Sequence, residues 1–220
     1  MIAFVVAMEK EAKDFFSKLN IKDEKIIAGK KVVLANYLNK EIVVGVAGIG
    51  KVNAGLTTQM LIDNFNPELV INFGLAGGKL GCGLNAGDVV FVEKACQYDF
   101  DLSELDDVEI GYMQDYDTIY YNLEKDVCVE GSTFVKCATG DRFTSKEYFL
   151  EVIKNLGAQI SDMELGAIAQ VCVANNVKLI SLKLISDVEG KEGSIFEQYY
   201  GNLNYVSKLA DEVVKMLNNL

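Results

Sequence analysis

Residues 68–78 read ELVINFGLAGG, an apolar segment that runs directly into a glycine-rich turn. The apolar part does not alternate with polar residues, which is typical of a strand covered on both faces in an α/β sheet. Glycines after a strand let a ligand approach the backbone closely and leave amide groups free to bind it. The stretch therefore predicts a buried strand whose carboxyl end lies at a ligand-binding edge.

Similar apolar, β-branched runs predict further strands. They lie at residues 2–7, 31–37, 41–47, 88–95, 133–138 and 178–185. Only residues 38–40 separate the second and third of these runs, which predicts a hairpin. A hairpin pairs antiparallel strands, so a purely parallel sheet is excluded. The expected fold class is α/β, a single domain over residues 1–220 with a mixed, twisted β-sheet flanked by helices.

Between these runs, apolar residues recur at helical spacing in three stripes. The stripes are Val52, Leu56 and Met60, then Ala167, Val171 and Ala174, and finally Val206, Leu209, Val213, Met216 and Leu220. A fourth helix is expected early in the chain, with Ala12, Phe15, Phe16 and Leu19 on its core side. We interpret all of these stripes as faces that pack against the core.

Composition limits the class of partner. The chain has 220 residues, 50% of them hydrophobic, and a formal net charge of −11. This charge repels nucleic acid and anionic membrane surfaces, so neither is expected as a partner. No apolar run approaches the roughly 20 residues that cross a bilayer, and the run at 2–7 lacks a basic leader. We expect a cytoplasmic protein that binds a small molecule or another protein.

The side chains available for chemistry are restricted, because the sequence contains no histidine. Its five cysteines are widely spaced, form no CxxC pair and are expected to be reduced thiols. We therefore do not expect a structural zinc site. Proton transfer must then depend on carboxylates.

Two acidic residues border apolar segments. Glu164 directly precedes the apolar part of SDMELGAIAQVC, and Asp187 is the last residue of LISLKLISD. An aspartate just past a buried strand loses solvation, which raises its pKa and makes it a proton donor near neutral pH. A helix cap is the alternative explanation. A second glycine-rich turn, GIGKVNAG at 48–55, matches neither a P-loop nor a dinucleotide fingerprint.

These elements occur in a specific order. It runs AMEKEA, GIGKVNAG, VINFGLAGG, AGDVV, GDRF, DMELGAIAQVC and LISD. In this order the chain resembles the nucleoside phosphorylase and nucleosidase superfamily, most closely the 5'-methylthioadenosine/S-adenosylhomocysteine nucleosidase family. The resemblance implies the phosphorylase/hydrolase-like form of the fold. Phosphorylases hold their anion with arginine, but FGLAGG has none, and Glu11 in AMEKEA would repel phosphate while activating water. Hydrolysis is therefore expected.

The resemblance also implies catalytic roles for three carboxylates. Glu11 would deprotonate the water that attacks the ribose, and Asp187 would protonate the purine at N7. Glu164 would accept hydrogen bonds from the ribose hydroxyls and favour positive charge on the sugar. An acid on the leaving group and a base for water are what hydrolysis of a glycosidic bond requires. Because side chains would supply both, the resemblance implies neither a cofactor nor a metal.

Further contacts with the substrate are implied in the same way. Phe143 would stack on the base while the backbone of Thr144 reads its edge, and Met163 would pack under the ribose. The remaining implied contacts are Met8, Ile49, Gly77, Ser186 and Phe196. Of these, Ser186 would orient Asp187, Gly77 would contribute backbone near the base, and Ile49 with Phe196 would line the pocket for the 5' group.

The chain departs from the family at two positions. Leu75 stands where many members have serine or threonine, and Tyr98 where relatives often have histidine. The segment around Tyr98 lies near the family's dimer interface, and the family implies a homodimer formed by apolar helix faces. Methylthioadenosine, S-adenosylhomocysteine and 5'-deoxyadenosine all remain candidate substrates. A futalosine hydrolase, a phosphorylase and a nucleoside-binding protein without turnover are the alternatives.

Overall fold

The computed structural model describes residues 1–105, 107–126, 131–143, 146–202 and 205–220. Its strands are β1 (Ile2–Val6), β2 (Asn20–Ile27), β3 (Lys30–Tyr37), β4 (Lys40–Val46), β5 (Leu69–Gly78), β6 (Val89–Gln97), β7 (Tyr121–Asn122), β8 (Phe134–Thr139), β9 (Ile160–Asp162) and β10 (Lys178–Val188). Its α-helices are α1 (Glu9–Phe16), α2 (Lys51–Phe65), α3 (Glu147–Asn155), α4 (Leu165–Ala174), α5 (Ile195–Gly201) and α6 (Val206–Asn219), with a 3₁₀ turn at Gln114–Tyr116. None of these helices is long and apolar enough to span a membrane.

The strands form one mixed sheet, as the sequence predicted. β10 pairs with both β5 and β6, so that β10, β6, β8, β9 and β5 close into a ring. β1, β4, β3 and β2 extend the sheet outward from β5. The hairpin between β3 and β4 is confirmed, with Tyr37 opposite Lys40.

The carboxyl ends of four strands meet at one edge of the sheet. β1 runs parallel to β4 and β5, and β5 runs parallel to β10. Loops that follow parallel strands emerge on the same side. The glycine-rich turns and the acidic motifs that follow these strands are therefore brought together there.

The C-terminal helix α6 packs against the core as predicted. Val206, Leu209, Val213 and Met216 are buried, whereas the last residue of the stripe, Leu220, is 39% exposed. Ala12 and Phe15 of α1 are buried in the same apolar cluster. These two helices cover one side of the sheet.

The stripes predicted for α2 and α4 were wrong in part. Val52 and Leu56 are 80% and 46% exposed, and only Met60 of that stripe is buried. In α4, Ala167 and Val171 are half-buried and Ala174 is exposed. Both helices carry apolar residues on more than one side, so the spacing alone did not identify the face that packs on the sheet.

Strand β2 was not predicted. Its sequence, NIKDEKII, carries four charged residues, and most of its side chains are exposed. It pairs only with β3 and forms the outer edge of the sheet. Charged side chains on an edge strand discourage pairing with other chains, and here they also concealed the strand pattern.

Cys96, Cys137 and Cys172 are buried and Cys82 is half-buried, and none of these four forms a disulfide. Cys128 lies outside the described residues.

Candidate active site

A cavity of about 320 Å³ opens at the carboxyl edge of the sheet. Ten of the residues predicted to act on substrate line it: Met8, Glu11, Ile49, Gly77, Phe143, Met163, Glu164, Ser186, Asp187 and Phe196. Thr144, the remaining one, lies outside the described residues. The volume is in the usual range for a small-molecule site.

Glu11 lies in the first turn of α1 and is only 3% exposed. The amide of Met8 donates to its Oε2 at 3.0 Å, and the amide of Leu75 donates to its Oε1 at 3.1 Å. Burial raises the pKa of Glu11, although these two amides and the charge of Lys183 oppose the rise. The carboxylate is thus held rigidly while its proton affinity is increased, which suits a general base.

Asp187 follows an irregularity in the pairing of β10 with β5, where Ser186 has no partner in the register. The Ser186 hydroxyl donates to Oδ1 of Asp187 at 2.6 Å. Burial raises the pKa of Asp187, and the hydrogen bond from Ser186 and the charge of Lys79 oppose the rise. A carboxyl group of this kind keeps its proton to a higher pH than an exposed aspartate does.

Glycines of β5 make room for both carboxylates. A methyl group at Gly74 would lie 3.4 Å from Oε1 of Glu11, and one at Gly77 would lie 3.0 Å from Oδ2 of Asp187. The two carboxylates therefore lie beside different glycines of the same strand, three residues apart.

Glu164 stands at the N-terminus of α4, and its Oε1 accepts a hydrogen bond from the amide of Gly50 at 2.9 Å. This bond joins the glycine-rich turn before α2 to the start of α4. Burial, together with the charge of Asp162, raises the pKa of Glu164 to about 7, and the charge of Lys183 opposes the rise. The ionisation state of Glu164 therefore changes near neutral pH.

Beneath the cavity lies a buried ion pair that the sequence analysis missed. The ammonium of Lys183 lies 2.7 Å from Oδ2 of Asp162, and the side chains are 1% and 0% exposed. Thr139 donates to Oδ1 of the same aspartate at 2.6 Å. The available signal was the single lysine inside the apolar run LISLKLIS, which a strand buried on both faces admits only when it is paired.

Aromatic side chains form the outer wall of the cavity. The rings of Phe143 and Phe196 stack with centroids 5.1 Å apart and an angle of 26°. Tyr199 meets Phe143 edge-on at 6.0 Å. Tyr199 and Tyr200 also line the cavity and were not predicted, because helix α5 was not recognised. The wall offers flat apolar surfaces for a base or a 5' substituent.

Lys79 is a further lining residue that the sequence analysis missed. It follows the last glycine of FGLAGG directly and is 8% exposed. Burial lowers its pKa, and the charges of Glu189 and Asp187 oppose that shift. Its position immediately after a predicted ligand-binding turn was the signal that could have identified it.

The two departures from the family have different surroundings. The half-buried Leu75 lines the cavity, and its amide holds Glu11. Tyr98 is 2% exposed, packs against Phe149 and donates from its hydroxyl to the carbonyl of Arg142 at 3.2 Å. Tyr98 does not line the cavity. The change at Tyr98 is therefore accommodated within the core of this chain.

No group of three or more His, Cys, Asp or Glu residues is arranged to hold a metal ion in the described ranges. The residues that line the cavity include carboxylates, aromatic side chains and the two basic residues Lys79 and Arg142. Such a set can bind a polar ring compound and transfer protons at two separate points.

Comparison with known proteins gives the family. A profile described as the phosphorylase superfamily matches residues 1–217. The 5'-methylthioadenosine/S-adenosylhomocysteine nucleosidase of Geobacillus sp. (strain WCH70) is 31% identical over 232 residues, which cover 100% of this chain and 98% of the relative.

Two solved structures show the same fold over the whole chain. The 5'-methylthioadenosine/S-adenosylhomocysteine nucleosidase from Colwellia psychrerythraea 34H, in complex with adenine, superposes with a TM-score of 0.89 at 27% identity, covering 100% of this chain and 95% of that one. The futalosine hydrolase of Helicobacter pylori strain 26695 superposes with a TM-score of 0.89 at 26% identity, covering 100% and 97%. With the profile match and the sequence relatives, these similarities show that the chain belongs to the phosphorylase superfamily, in its family of 5'-methylthioadenosine/S-adenosylhomocysteine nucleosidases, and is an N-ribosyl hydrolase.

Proposed function

We propose that this protein hydrolyses the N-glycosidic bond of 5'-methylthioadenosine and S-adenosylhomocysteine, releasing adenine and the 5'-substituted ribose. The proposal rests on one observation above all. Two buried carboxylates with raised pKa values, Glu11 and Asp187, line the same cavity. 5'-Deoxyadenosine shares the adenosyl core and is a further candidate.

In this proposal Glu11 is the general base. Its two oxygens are fixed by backbone amides, so the lone pairs that remain can orient one water toward the anomeric carbon. Its raised pKa increases its ability to take a proton from that water. The hydroxyl is added as the base leaves, with inversion at the anomeric carbon.

Asp187 is the general acid. It transfers its proton to N7 of the purine, which makes the base a neutral leaving group. Ser186 fixes the orientation of the carboxyl group, and the absence of a side chain at Gly77 leaves space for the base beside it. Phe143 provides a ring on which the base can stack. For Thr144, the backbone contact to the base stays a prediction.

Glu164 acts on the sugar. As a carboxylate it would accept hydrogen bonds from the 2'- and 3'-hydroxyls and stabilise the positive charge that develops on the ribose. Met163 would pack against the ring from the adjacent position. The charge of Lys183 favours the ionised form of Glu164 and so supports this role.

The hydrogen bonds that Glu11 accepts from two backbone amides favour water over phosphate as the nucleophile. The amides of Met8 and Leu75 are the groups that would otherwise be available to an anion at this position, and both already donate to the carboxylate. A phosphate there would also meet the charge of Glu11 at close range. This arrangement argues against the phosphorylase alternative.

The 5' group would lie against the aromatic wall. Ile49, Met8 and Phe196 offer an apolar surface, which fits a methylthio group. Phe196 and Ile49 are 57% and 51% exposed, so a longer substituent such as homocysteine can extend toward solvent. Both 5' groups are therefore compatible with this end of the cavity.

We also propose that the enzyme is a homodimer in which a second copy covers an apolar stripe formed by Ile49, Val52 and Leu56. These side chains are 51%, 80% and 46% exposed and recur at helical spacing. Ile49 also lines the cavity, so the covering subunit would close the site at its 5' end. We place the enzyme in the cytoplasm, where its products would re-enter purine and methionine salvage.

The test is to incubate the purified protein with 5'-methylthioadenosine or S-adenosylhomocysteine, with and without phosphate, and to identify the products by mass spectrometry. We expect adenine and the free 5-substituted ribose at the same rate in both buffers. Release that depends on phosphate and yields a sugar phosphate would identify a phosphorylase. Binding without release would identify a nucleoside-binding protein.

A further inference from the structure

The loop that carries Phe143 packs on the buried side chain of Tyr98. The hydroxyl of Tyr98 donates to the carbonyl of Arg142 at 3.2 Å. Its ring lies so close to Gly140 that a methyl group on this glycine would collide with the ring. Phe143 itself is 45% exposed. The position of the Phe143 ring therefore depends on how the backbone before it is held, more than on burial in the core.

Asp99, Lys51 and Asp141 form a closed cycle of three hydrogen bonds beside this loop, the Asp99 cycle. The amide of Asp141 donates to Oδ2 of Asp99 at 2.8 Å, and the ammonium of Lys51 donates to Oδ1 of Asp99 at 2.6 Å. The amide of Lys51 donates to Oδ1 of Asp141 at 2.7 Å, which closes the cycle. The side chains of Lys51 and Asp99 are only 18% and 21% exposed, so salt and solvent screen this ion pair less than an exposed one.

The Asp99 cycle is attached to the same turn that binds Glu164. Lys51 is the first residue of α2, and the amide of the preceding Gly50 donates to Oε1 of Glu164 at 2.9 Å. Two adjacent amides at one helix N-terminus therefore bind two carboxylates, a placement that the helix dipole favours. One of these carboxylates belongs to Asp141, two residues before Phe143. The loop that carries Phe143 and the side chain of Glu164 are thus fixed to a common point.

We propose that Asp99 is a positioning residue for the base, which acts through Asp141 to place the ring of Phe143. The inference rests on the proposed function, in which Phe143 stacks on the base and Glu164 binds the ribose. A nucleoside joins its base and its sugar by one bond, so the stacking ring and the sugar acceptor must be spaced to match. Asp99 does not line the cavity and acts on the substrate only through these residues.

Asparagine should be tolerated differently at the two aspartates of the cycle. Asp99 accepts with both side-chain oxygens, from an ammonium and from an amide. Asparagine offers one oxygen, and its amino group would face the second donor. Asp141 contributes one side-chain oxygen to the cycle, and asparagine can supply that acceptor.

The test measures KM and kcat for 5'-methylthioadenosine in Asp99→Asn. We expect KM to rise roughly five- to fiftyfold, within the range for stacking of a base on an aromatic ring, and kcat to change by less than about twofold. KM carries the effect because stacking stabilises the bound substrate and the transition state alike. Asp141→Ala should raise KM in the same way, and Asp141→Asn should raise it less.

Glu93→Gln is the matched control. It removes a carboxylate from a partly exposed ion pair with Lys125, on the strand β6 that leads to Asp99. Glu93 does not line the cavity, so both kinetic constants should stay unchanged.

A double-mutant cycle with Phe143→Leu shows whether Asp99 acts through the aromatic ring. Adding Asp99→Asn to Phe143→Leu should raise KM by less than about a further twofold, because the stacking is already lost. Calorimetry with adenine should show the same non-additive loss of affinity without turnover. An unchanged KM in Asp99→Asn would overturn the inference, as would an undiminished effect in the Phe143→Leu background. If the wild type releases no base, the proposed function fails and this inference with it, whereas an active wild type with an unaffected Asp99→Asn contradicts this inference alone.

Discussion

The ammonium of Lys183 lies 2.7 Å from the carboxylate of Asp162 in a part of the core from which solvent is excluded. Burial alone would lower the pKa of Lys183, but the charges of Asp162 and Glu164 contribute to a net rise. The same ammonium opposes the rise that burial causes in the pKa of Glu11 and of Glu164. One buried cation therefore favours the ionised form of the proposed base and of the carboxylate beneath the sugar.

Replacing Lys183 with methionine should destabilise the protein strongly. The change leaves Asp162 buried without its counter-ion, which typically costs about 3–5 kcal/mol. Urea unfolding measures the effect. Lys178→Met is the control on the same strand, because Lys178 is 66% exposed and lies 3.8 Å from Glu124. That pair should contribute at most about 1 kcal/mol. Equal losses of unfolding free energy in Lys183→Met and Lys178→Met would contradict this account of the buried pair.

Glu164 should make stability depend on pH. Its pKa in the folded state, about 7, is above its ordinary value of 4.5, so the folded protein retains a proton that the unfolded chain has released. The contribution of Glu164 to the free energy of unfolding is therefore fully present at low pH and is lost as the pH rises from about 4.5 to about 7.

The variant Glu164→Gln removes this dependence. We expect it to be more stable than the wild type by about 1–3 kcal/mol above pH 7 and to lose activity there, since the carboxylate is absent. Thermal unfolding at a series of pH values provides the measurement. Glu151→Gln, an exposed position on α3, should follow the wild type at every pH. If the unfolding temperature of Glu164→Gln changed with pH in parallel with that of the wild type, the burial of Glu164 would have no effect on stability.

Asp187→Asn should abolish most turnover while the substrate still binds. Asparagine is nearly isosteric but has no acidic proton to transfer to the base, so we expect kcat to fall by roughly 10²–10⁴. Asp88→Asn is the control, because its carboxylate accepts from the amide of Asn85 in a turn and does not line the cavity. Near-wild-type turnover in Asp187→Asn would remove it from the mechanism.

The apolar stripe on α2 predicts a defined effect on assembly. Val52→Glu places a charge at the centre of the proposed interface, where it would have to be desolvated, and should convert the dimer to a monomer. Leu38→Glu is the matched control, an apolar residue 70% exposed in the turn between β3 and β4. Sedimentation measures both variants. A wild type that is monomeric, or a Val52→Glu variant that remains dimeric, would contradict the assignment.

The sequence predicted the parts of the fold that are marked by a clear local pattern, such as a long apolar run or a short gap between two runs. Long apolar runs identified the buried strands, and the short gap at 38–40 identified the hairpin. The edge strand β2 was missed because its exposed charges conceal the pattern. For α2, the apolar stripe was recognised but was wrongly expected to face the core, since Val52 is 80% exposed.

The candidate site was predictable where a residue belongs to an ordered motif. Glu11, Glu164 and Asp187 come from different ends of the chain and meet at one cavity. Lys79 and Lys183 were missed because an isolated lysine carries no spacing signal. Their importance appears only when the register of β5 and β10 and the degree of burial are known.

The stereochemistry of hydrolysis tests the central claim most directly, that water held by Glu11 attacks from the side opposite the base protonated by Asp187. The measurement is proton NMR of the sugar first released from 5'-methylthioadenosine in phosphate-free buffer, with mass spectrometry of the sugar formed in ¹⁸O-water. This account predicts the α-anomer first, with ¹⁸O at C1. A β-anomer formed first would contradict it, because retention requires a covalent intermediate on the enzyme.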